Sequence, residues 1–397
     1  MNSTYIVDIL RTPIGKYAGT LASVRPDDLA AETIRQLMVR NPQVKASLIE
    51  DVVFGAANQA GEDNRNVARM ALLLAGLPTS TGGVTVNRLC ASGLQAIMDA
   101  SRAIHHGDGD VYVAGGVESM SRAPFVMSKA EEGFSRKAEI FDTTIGWRFV
   151  NSRLSKLYHP YSMGETAENV AEKWKITREQ QDVFALASQT KYASAHANGR
   201  FKEELIAVSI SKGKEKIEFT KDEYPRETSL EKLAQLKPAF KEGGSVTAGN
   251  SSGINDGAAA ALLMSETKTK QLNLTPLARV VSVAIAGVDP AFMGVGPVPA
   301  VKKALQRAGL RMNDIGLLEL NEAFASQSLA CMHDLEVDPA IVNVNGGAIA
   351  IGHPLGCSGV RISATLIHEM QKRKVRYGIA TMCIGVGQGA AIVYELI

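Results

Sequence analysis

An imbalance of charge is the first thing this sequence lacks. Lys and Arg number 43 against 41 Asp and Glu. No global field therefore draws the chain to nucleic acid or to a membrane surface, and affinity for a phosphate-bearing ligand must come from local groups. No segment offers the roughly 18 consecutive uncharged apolar residues of a membrane span. Residues 1–8 lack the basic stretch and apolar run of a secretory signal, and Tyr394-Glu395-Leu396-Ile397 carries neither an anchor nor a peroxisomal tripeptide. Cytoplasm is the expected compartment. Cysteine is scarce: Cys90, Cys331, Cys357 and Cys383 lie far apart with no C-x-x-C pair, which argues against a zinc knuckle and a disulfide framework. Each is then a small buried hydrophobe or a reactive thiol, and context decides which.

What is present points to a large α/β enzyme. A chain of 397 residues is too long for one ordinary core and suits two domains or one duplicated one. Its 36 glycines cluster between short apolar stretches, as strand-to-helix turns require. Residues 5–9, 51–56, 84–87 and 111–114 read as strands, and 27–40, 67–75 and 92–106 as helices. The C-terminal part repeats the order. Residues 278–286, 316–320, 341–344, 377–382 and 390–396 read as strands, and 298–308, 323–335 and 360–374 as helices. Such short apolar strands expect a mixed sheet covered by helices.

Between the halves, residues 119–249 break the pattern, with one convincing helix at 178–198. Insertions of this kind often cover an active site. Residues 120–160 carry seven Lys or Arg against four acidic residues, a local excess that reads either as a solvated surface or as a phosphate contact.

Four segments could carry chemistry. Cys90, in Val86-Asn87-Arg88-Leu89-Cys90-Ala91-Ser92-Gly93, sits between a strand end and a helix start. The positive helix terminus there favours a thiolate, so a lowered pKa is expected, and the turn's N–H groups can face an oxyanion; the bland alternative is a buried structural thiol. His353 lies in the glycine-dense run from Asn345 to Gly356, which a simple core residue does not need. Its i, i+4 spacing to Cys357 suggests metal ligands, but Pro354 and Gly356 argue against a regular helical pair, and no metal is expected. Cys383-Ile384-Gly385-Val386-Gly387-Gln388-Gly389 invites a dinucleotide reading. That reading needs a following helix, whereas a strand follows here. Asn321 stands at a strand-to-helix transition, where it either serves a site or merely caps the helix.

Taken together, these blocks resemble the thiolase family from end to end. The matching stretches are the Cys90 segment, Gly115-Gly116-Val117-Glu118-Ser119-Met120-Ser121, Thr247-Ala248-Gly249-Asn250, Asn321-Glu322-Ala323-Phe324, Gly352-His353-Pro354 and Cys383-Ile384-Gly385. The resemblance implies an α/β fold with a duplicated five-layer α-β-α-β-α core. One half would comprise residues 1–118 with 250–275, the inserted loop domain 119–249, and the other half 276–397. It implies that Cys90 is the acylated nucleophile, His353 its base and Cys383 a proton shuttle. Asn321 would anchor the water of one oxyanion hole, with the N–H groups of Cys90 and Gly385 forming the other. Ser252, Phe324, Ala323 and Ala248 would meet the coenzyme A arm, and Met163 would line the acyl pocket. Coenzyme A and acyl-coenzyme A are then substrates, with no permanently bound cofactor, and a homodimer or homotetramer is expected.

The chemistry suits the groups. Cleaving a 3-ketoacyl thioester releases an enolate, which needs preorganised donors, and two acid/base groups fit a ping-pong course. The chain departs from the family's pattern at Ser162, where acetoacetyl-type members carry His, and at Val386, Gln388 and Cys357. Residues 59–66 and 141–148 resemble thiolases that cleave 3-oxoadipyl-coenzyme A, whereas residues 343–350 resemble acetoacetyl-type enzymes as much. The expected activity is thiolysis with 3-oxoadipyl-coenzyme A favoured; the alternatives are an acetoacetyl-coenzyme A thiolase and a non-catalytic acyl-coenzyme A binder. A ketoacyl synthase would carry a second His in place of Cys383.

Overall fold

The computed structural model describes residues 2–397. The first half runs β1 (Thr4–Arg11), α1 (Pro26–Arg40), β2 (Asp51–Gly55), α2 (Val67–Leu74), β3 (Gly82–Val86), α3 (Ser92–His106) and β4 (Val111–Ser119). An excursion holding α4 (Met163–Lys173) and α5 (Arg178–Ala197) follows, and β5 (Asn255–Ser265) returns the chain to the sheet. The second half runs β6 (Ala278–Gly287), α6 (Pro297–Ala308), β7 (Leu317–Leu320), α7 (Ala325–Leu335), α8 (Leu355–Arg373), β8 (Tyr377–Ile384) and β9 (Gln388–Leu396). Pro26 and Pro297 occupy first helical turns, where a missing N–H costs nothing. Gly107 and Gly309 end α3 and α6 in the left-handed conformation that glycine adopts without strain.

The strands pair in the order β3-β2-β4-β5-β1-β6-β9-β8-β7. β1 and β6 meet through two residue pairs, Tyr5↔Arg279 and Ile6↔Ala278, and this seam divides two units of the same design. Antiparallel β1–β5 and β5–β4 correspond to β6–β9 and β9–β8. Parallel β4–β2 corresponds to β8–β7. Helices α3 and α8 fill the middle layer, where Leu94, Ile97 and Ile104 share one core with Val360, Ile362 and Leu366. Residues of α1 and α2 cover one outer face, and those of α6 and α7 the other. The result is the duplicated five-layer α/β core of the thiolase fold.

Backbone contact joins the two central helices. A Cβ on Gly93 would stand 2.7 Å from the Gly356 carbonyl oxygen, and one on Gly359 only 2.1 Å from the Leu94 nitrogen. Only glycine permits that approach, and it brings the N-termini of α3 and α8 side by side.

Three expectations need correction. Residues 341–344 do not form a strand: Pro339–Ile341 is a 3-10 turn, and only Val342 bridges to Leu318. Asn343 takes a positive φ of 44°, and its side chain substitutes for the ladder, accepting from the Leu320 N–H and donating to the Leu320 carbonyl, each at 2.8 Å. The last helix starts at Leu355 rather than 360, because Pro354 can precede a first turn even though it cannot sit in a helix interior. Strand β5 and helix α4 were absent from the sequence reading. The alanine run Ala258–Ala261 has little strand propensity, and Ser162 supplies a capping box with Glu165.

Candidate active site

Cys90 lies one residue before the cap of α3, on a turn held by side chains. Leu89 adopts a positive φ of 47°, strained for a leucine. Its N–H is accepted by Asn87 Oδ1 at 2.9 Å, and its carbonyl takes the Ser92 hydroxyl at 2.7 Å. Cys90 keeps intermediate exposure, and its sulfur accepts the Gly385 N–H. That places the β8–β9 turn directly over the thiol.

The expected lowering of the Cys90 pKa is overturned. Burial pushes the thiol up to about 11, opposed by the Gly385 and Cys90 N–H groups and reinforced by Glu118. Desolvation outweighs the helix terminus although Cys90 keeps some exposure, because loss of water is the largest of the effects on its thiol. Glu118, itself raised to about 7 by burial, accepts from the N–H groups of Ala57, Asn58 and Gly356. It thereby ties the first-half loop to the N-terminus of α8.

His353 is 5% exposed and precedes α8, as Cys90 precedes α3. Its backbone N–H donates to Asn255 Oδ1 at 3.0 Å, and Nδ1 meets Ser358 Oγ at 2.6 Å. Burial first, and Arg361 second, lower its pKa to about 3. The imidazole is neutral. The raised thiol and the lowered imidazole both disfavour a standing thiolate–imidazolium pair. Resting thiol and resting imidazole are the forms this site stabilises, and a proton would move only as a new bond forms to sulfur.

Asn321 does not cap a helix: α7 begins at Ala325, after Phe324. Its Nδ2 lies 3.4 Å from both ring nitrogens of His353, and its Oδ1 accepts from Arg361 at 3.2 Å. The next residue, Glu322, accepts from Ser188 Oγ at 2.7 Å, Asn343 Nδ2 at 2.8 Å and the Ile349 N–H at 3.1 Å. Asn321-Glu322 therefore faces the imidazole with one side chain and pins the glycine-rich loop behind it with the other.

Cys383, at the end of β8, is 1% exposed, and burial with the neighbouring Cys90 raises its pKa well above the usual thiol value. It packs with Ala323, Phe324, Met163, Ala167, Val246 and Met293. A Cβ on Gly385 would lie 3.3 Å from Leu89 and 3.6 Å from the Met163 sulfur, so Met163 borders the Cys90 turn. Ser252 joins from β5's approach, its N–H donating to the Ala323 carbonyl at 3.0 Å. Ala248 stands apart: it is exposed on the outer turn, where its carbonyl accepts from Arg226 at 2.7 Å. Cys357 is a fully buried core residue. Among the described residues no cluster of three His, Cys, Asp or Glu is arranged to hold a metal. Two open hollows of about 670 and 860 Å³ lie away from Cys90, and the chemistry of the residues, not the size of a cavity, locates this site.

Sequence reasoning missed Glu118, Asn255, Met293, Ser358 and Arg361. Arg361 left a visible signal, a charge flanked in sequence by Val360 and Ile362 at the start of the expected helix 360–374. Asn255 left none, because its partner His353 is 98 residues distant, and Met293 left none, because it meets the site only through packing between separate segments.

Known families and proteins match the chain along its whole length. The thiolase N-terminal domain matches residues 4–267 and the thiolase C-terminal domain residues 274–396. The chain is 56% identical to the 3-oxoadipyl-CoA/3-oxo-5,6-dehydrosuberyl-CoA thiolase of Escherichia coli over the whole of both chains. The solved acetyl-CoA acetyltransferase of Bacillus anthracis superposes with a TM-score of 0.94 at 42% identity, over 100% of this chain and 99% of that one. Human mitochondrial 3-ketoacyl-CoA thiolase in complex with CoA superposes with a TM-score of 0.92 at 38% identity, over 100% and 98%.

Proposed function

The chain belongs to the thiolase family and is an acyltransferase, and we propose that it cleaves 3-oxoadipyl-coenzyme A to acetyl-coenzyme A and succinyl-coenzyme A. The observation that supports the mechanism is the Asn321 amide 3.4 Å from the His353 ring, together with the Gly385 N–H on the Cys90 sulfur and a Cys383 near enough to Cys90 to feel its charge. In this reading the Cys90 thiol attacks the 3-keto carbon while His353 takes its proton. The N–H groups of Cys90 and Gly385 receive one oxyanion, and Asn321 holds the water that serves the other. The C2–C3 bond breaks, its electron pair leaves on acetyl-coenzyme A, and Cys383 supplies the proton to C2. Coenzyme A then attacks the acyl-Cys90 thioester, giving up its thiol proton to Cys383, and His353 returns its proton to the departing Cys90 sulfur.

A buried, largely uncharged site suits the enolate step, since preorganised donors gain strength where water is excluded. Ser252, Ala323 and Phe324 line the approach taken by the pantetheine arm. Ala248 and Arg226 stand at its outer end, beside the hollow that also exposes Lys221, where a phosphate-bearing head group finds cations. Residues 1–118 with 250–275, and 276–397, are read as the two core halves, with 119–249 as the cover. Exposed Leu73, Leu74 and Val84 near edge strand β3 support a homodimer or homotetramer. No helix is long and apolar enough to cross a membrane, and a cytoplasmic location is retained as part of the reading.

The relative that shares 56% identity acts, by its name, on 3-oxoadipyl-CoA, which favours that substrate over acetoacetyl-coenzyme A. The test is coenzyme A-dependent loss of the 3-ketoacyl thioester, with Cys90→Ala as the control. Cleavage that persists in Cys90→Ala refutes the mechanism. Binding without turnover in the parent chain makes it an acyl-coenzyme A binder.

A further inference from the structure

Arg361 lies on α8 with no exposure, and its Nε and Nη1 have no hydrogen-bond partner among the described residues. Its Nη2 donates to Asn321 Oδ1 at 3.2 Å. One carboxylate faces it: Glu319, on β7 two residues before Asn321, holds Oε2 3.9 Å from Nη1. That is beyond hydrogen-bond range. A buried guanidinium so thinly paired is costly, and an apolar side chain of similar length would fill the same space.

The chemistry of its partner explains why a cation stands there. An amide side chain has nearly the same shape either way round, but a guanidinium offers donors only. Asn321 must therefore present Oδ1 to Arg361, which turns Nδ2 toward the His353 ring. We propose that Arg361 is a positioning residue for the thiolase reaction, locking the Asn321 amide with its NH2 toward His353 and the reacting oxygen. The proposal rests on the roles assigned to Asn321 and His353 in the reading above.

Charge supports the same role. The groups that act on Arg361 are Glu319 from β7, Arg11 from β1, Glu204 from the segment between β4 and β5, and Cys357 one turn back on its own helix. Burial raises the pKa of Glu319, which weakens the one carboxylate set opposite the guanidinium at 3.9 Å. The cation in turn disfavours a proton on His353. The imidazole is kept free to accept one, and the Asn321 N–H is polarised toward its acceptor.

The test is a double-mutant cycle. Arg361→Met and Arg361→Lys are made alone and on Asn321→Ala, and thermal melts establish which variants fold. Asn321→Ala alone is expected to lower kcat about 100-fold, the scale of one lost oxyanion donor. Arg361→Met is expected to lower kcat by a similar factor with KM little changed, and to add less than about threefold on Asn321→Ala. It should also move the acid limb of kcat/KM to higher pH. Arg361→Lys, which keeps charge without the fork, should leave that limb in place and recover part of the rate. Equal losses on both Asn321 backgrounds with an unmoved acid limb would mean a merely structural arginine and overturn the proposal. Should Arg361→Met not fold, the Lys cycle decides by kcat alone: a loss that shrinks to less than about threefold on Asn321→Ala supports the proposal, and equal losses on both backgrounds overturn it. Full kcat in Asn321→Ala would instead remove the assigned role of Asn321, a failure distinguishable from the first.

Discussion

Nδ1 of His353 donates to Ser358, and not the reverse, because the Ser358 hydrogen is already committed. Ser358 Oγ lies 2.7 Å from the Pro354 carbonyl, which can only accept, and 2.6 Å from Nδ1. One hydroxyl hydrogen cannot serve both contacts. The imidazole therefore carries its proton on Nδ1 and leaves Nε2 unprotonated, with the Asn321 amide 3.4 Å away, the tautomer a base for Cys90 requires.

Ser358→Ala removes that constraint without leaving a charge behind. The variant is expected to fold, to lose roughly tenfold or more in kcat, and to change KM little, since base catalysis as a whole is worth about 100-fold or more. Nitrogen NMR of labelled histidine reads the tautomer directly. A parent enzyme with its proton on Nε2 would refute the assignment.

The Cys90 thiol should behave as an ordinary, poorly ionised one in the free enzyme. With its pKa raised to about 11, the neutral form prevails through the physiological range, and the thiolate grows only as pH climbs. Iodoacetamide modification of the Cys90 peptide is therefore expected to accelerate steadily with pH, with no plateau below about pH 9. Glu118→Gln removes one cause of the rise and should bring faster modification at a given pH. A plateau near pH 7 in the parent chain would show that the helix terminus outweighs burial after all.

The two halves and their order were legible from glycine spacing and apolar runs, since each strand and helix obeys its own period. The site was legible only as four separate blocks. Nothing local in Asn321 or Gly385 says that one meets His353 and the other Cys90; those meetings follow from the glycine contacts of α3 with α8 and from the β8–β9 turn. The thiol pKa was misread because a helix terminus can be seen in sequence and desolvation cannot. Residues 341–344 were misread for a related reason, as the Asn343 side chain imitates the strand partner that apolar periodicity implied.

Arg11 should be the fastening between the core and the segment that joins β4 to β5. Fully buried on β1, it donates to Glu204 at 2.6 Å and to both oxygens of Asp222 at 2.6 and 3.0 Å. Asp222 also accepts from the Ile14 N–H at 2.8 Å and from Tyr192 at 3.2 Å. Arg11→Met strands two carboxylates in a dry interior, a change that typically costs about 3–5 kcal/mol. Urea unfolding measures it, and a loss below about 1 kcal/mol would show that water or neighbours satisfy these carboxylates without the arginine.

Substrate choice is expected to turn on Arg148, a cation on the loop that meets the Cys90 turn. Arg148 is partly buried and donates to Asn58 Oδ1 at 3.2 Å, and it has no ion pair among the described residues. Asn58 donates its N–H to Glu118, and Asn87 holds the neighbouring Ala57 carbonyl at 2.9 Å, so this loop abuts the Cys90 turn. On the other side Trp147 donates to the Tyr161 carbonyl at 2.9 Å, two residues before Met163. The arginine is thus strapped between the thiol's loop and the acyl-pocket helix while its charge stays unspent. A dicarboxylic acyl chain ends in a carboxylate that such a guanidinium can take bidentately, and an acetoacetyl chain offers it nothing. The parent enzyme is expected to prefer 3-oxoadipyl- over acetoacetyl-coenzyme A by about tenfold or more in kcat/KM, a factor that needs only about 1.4 kcal/mol. Arg148→Gln should erase most of that preference by lowering the first value and leaving the second nearly unchanged. Equal losses on both substrates would make Arg148 a structural strap, and a parent enzyme that favours acetoacetyl-coenzyme A by that margin would be the short-chain type.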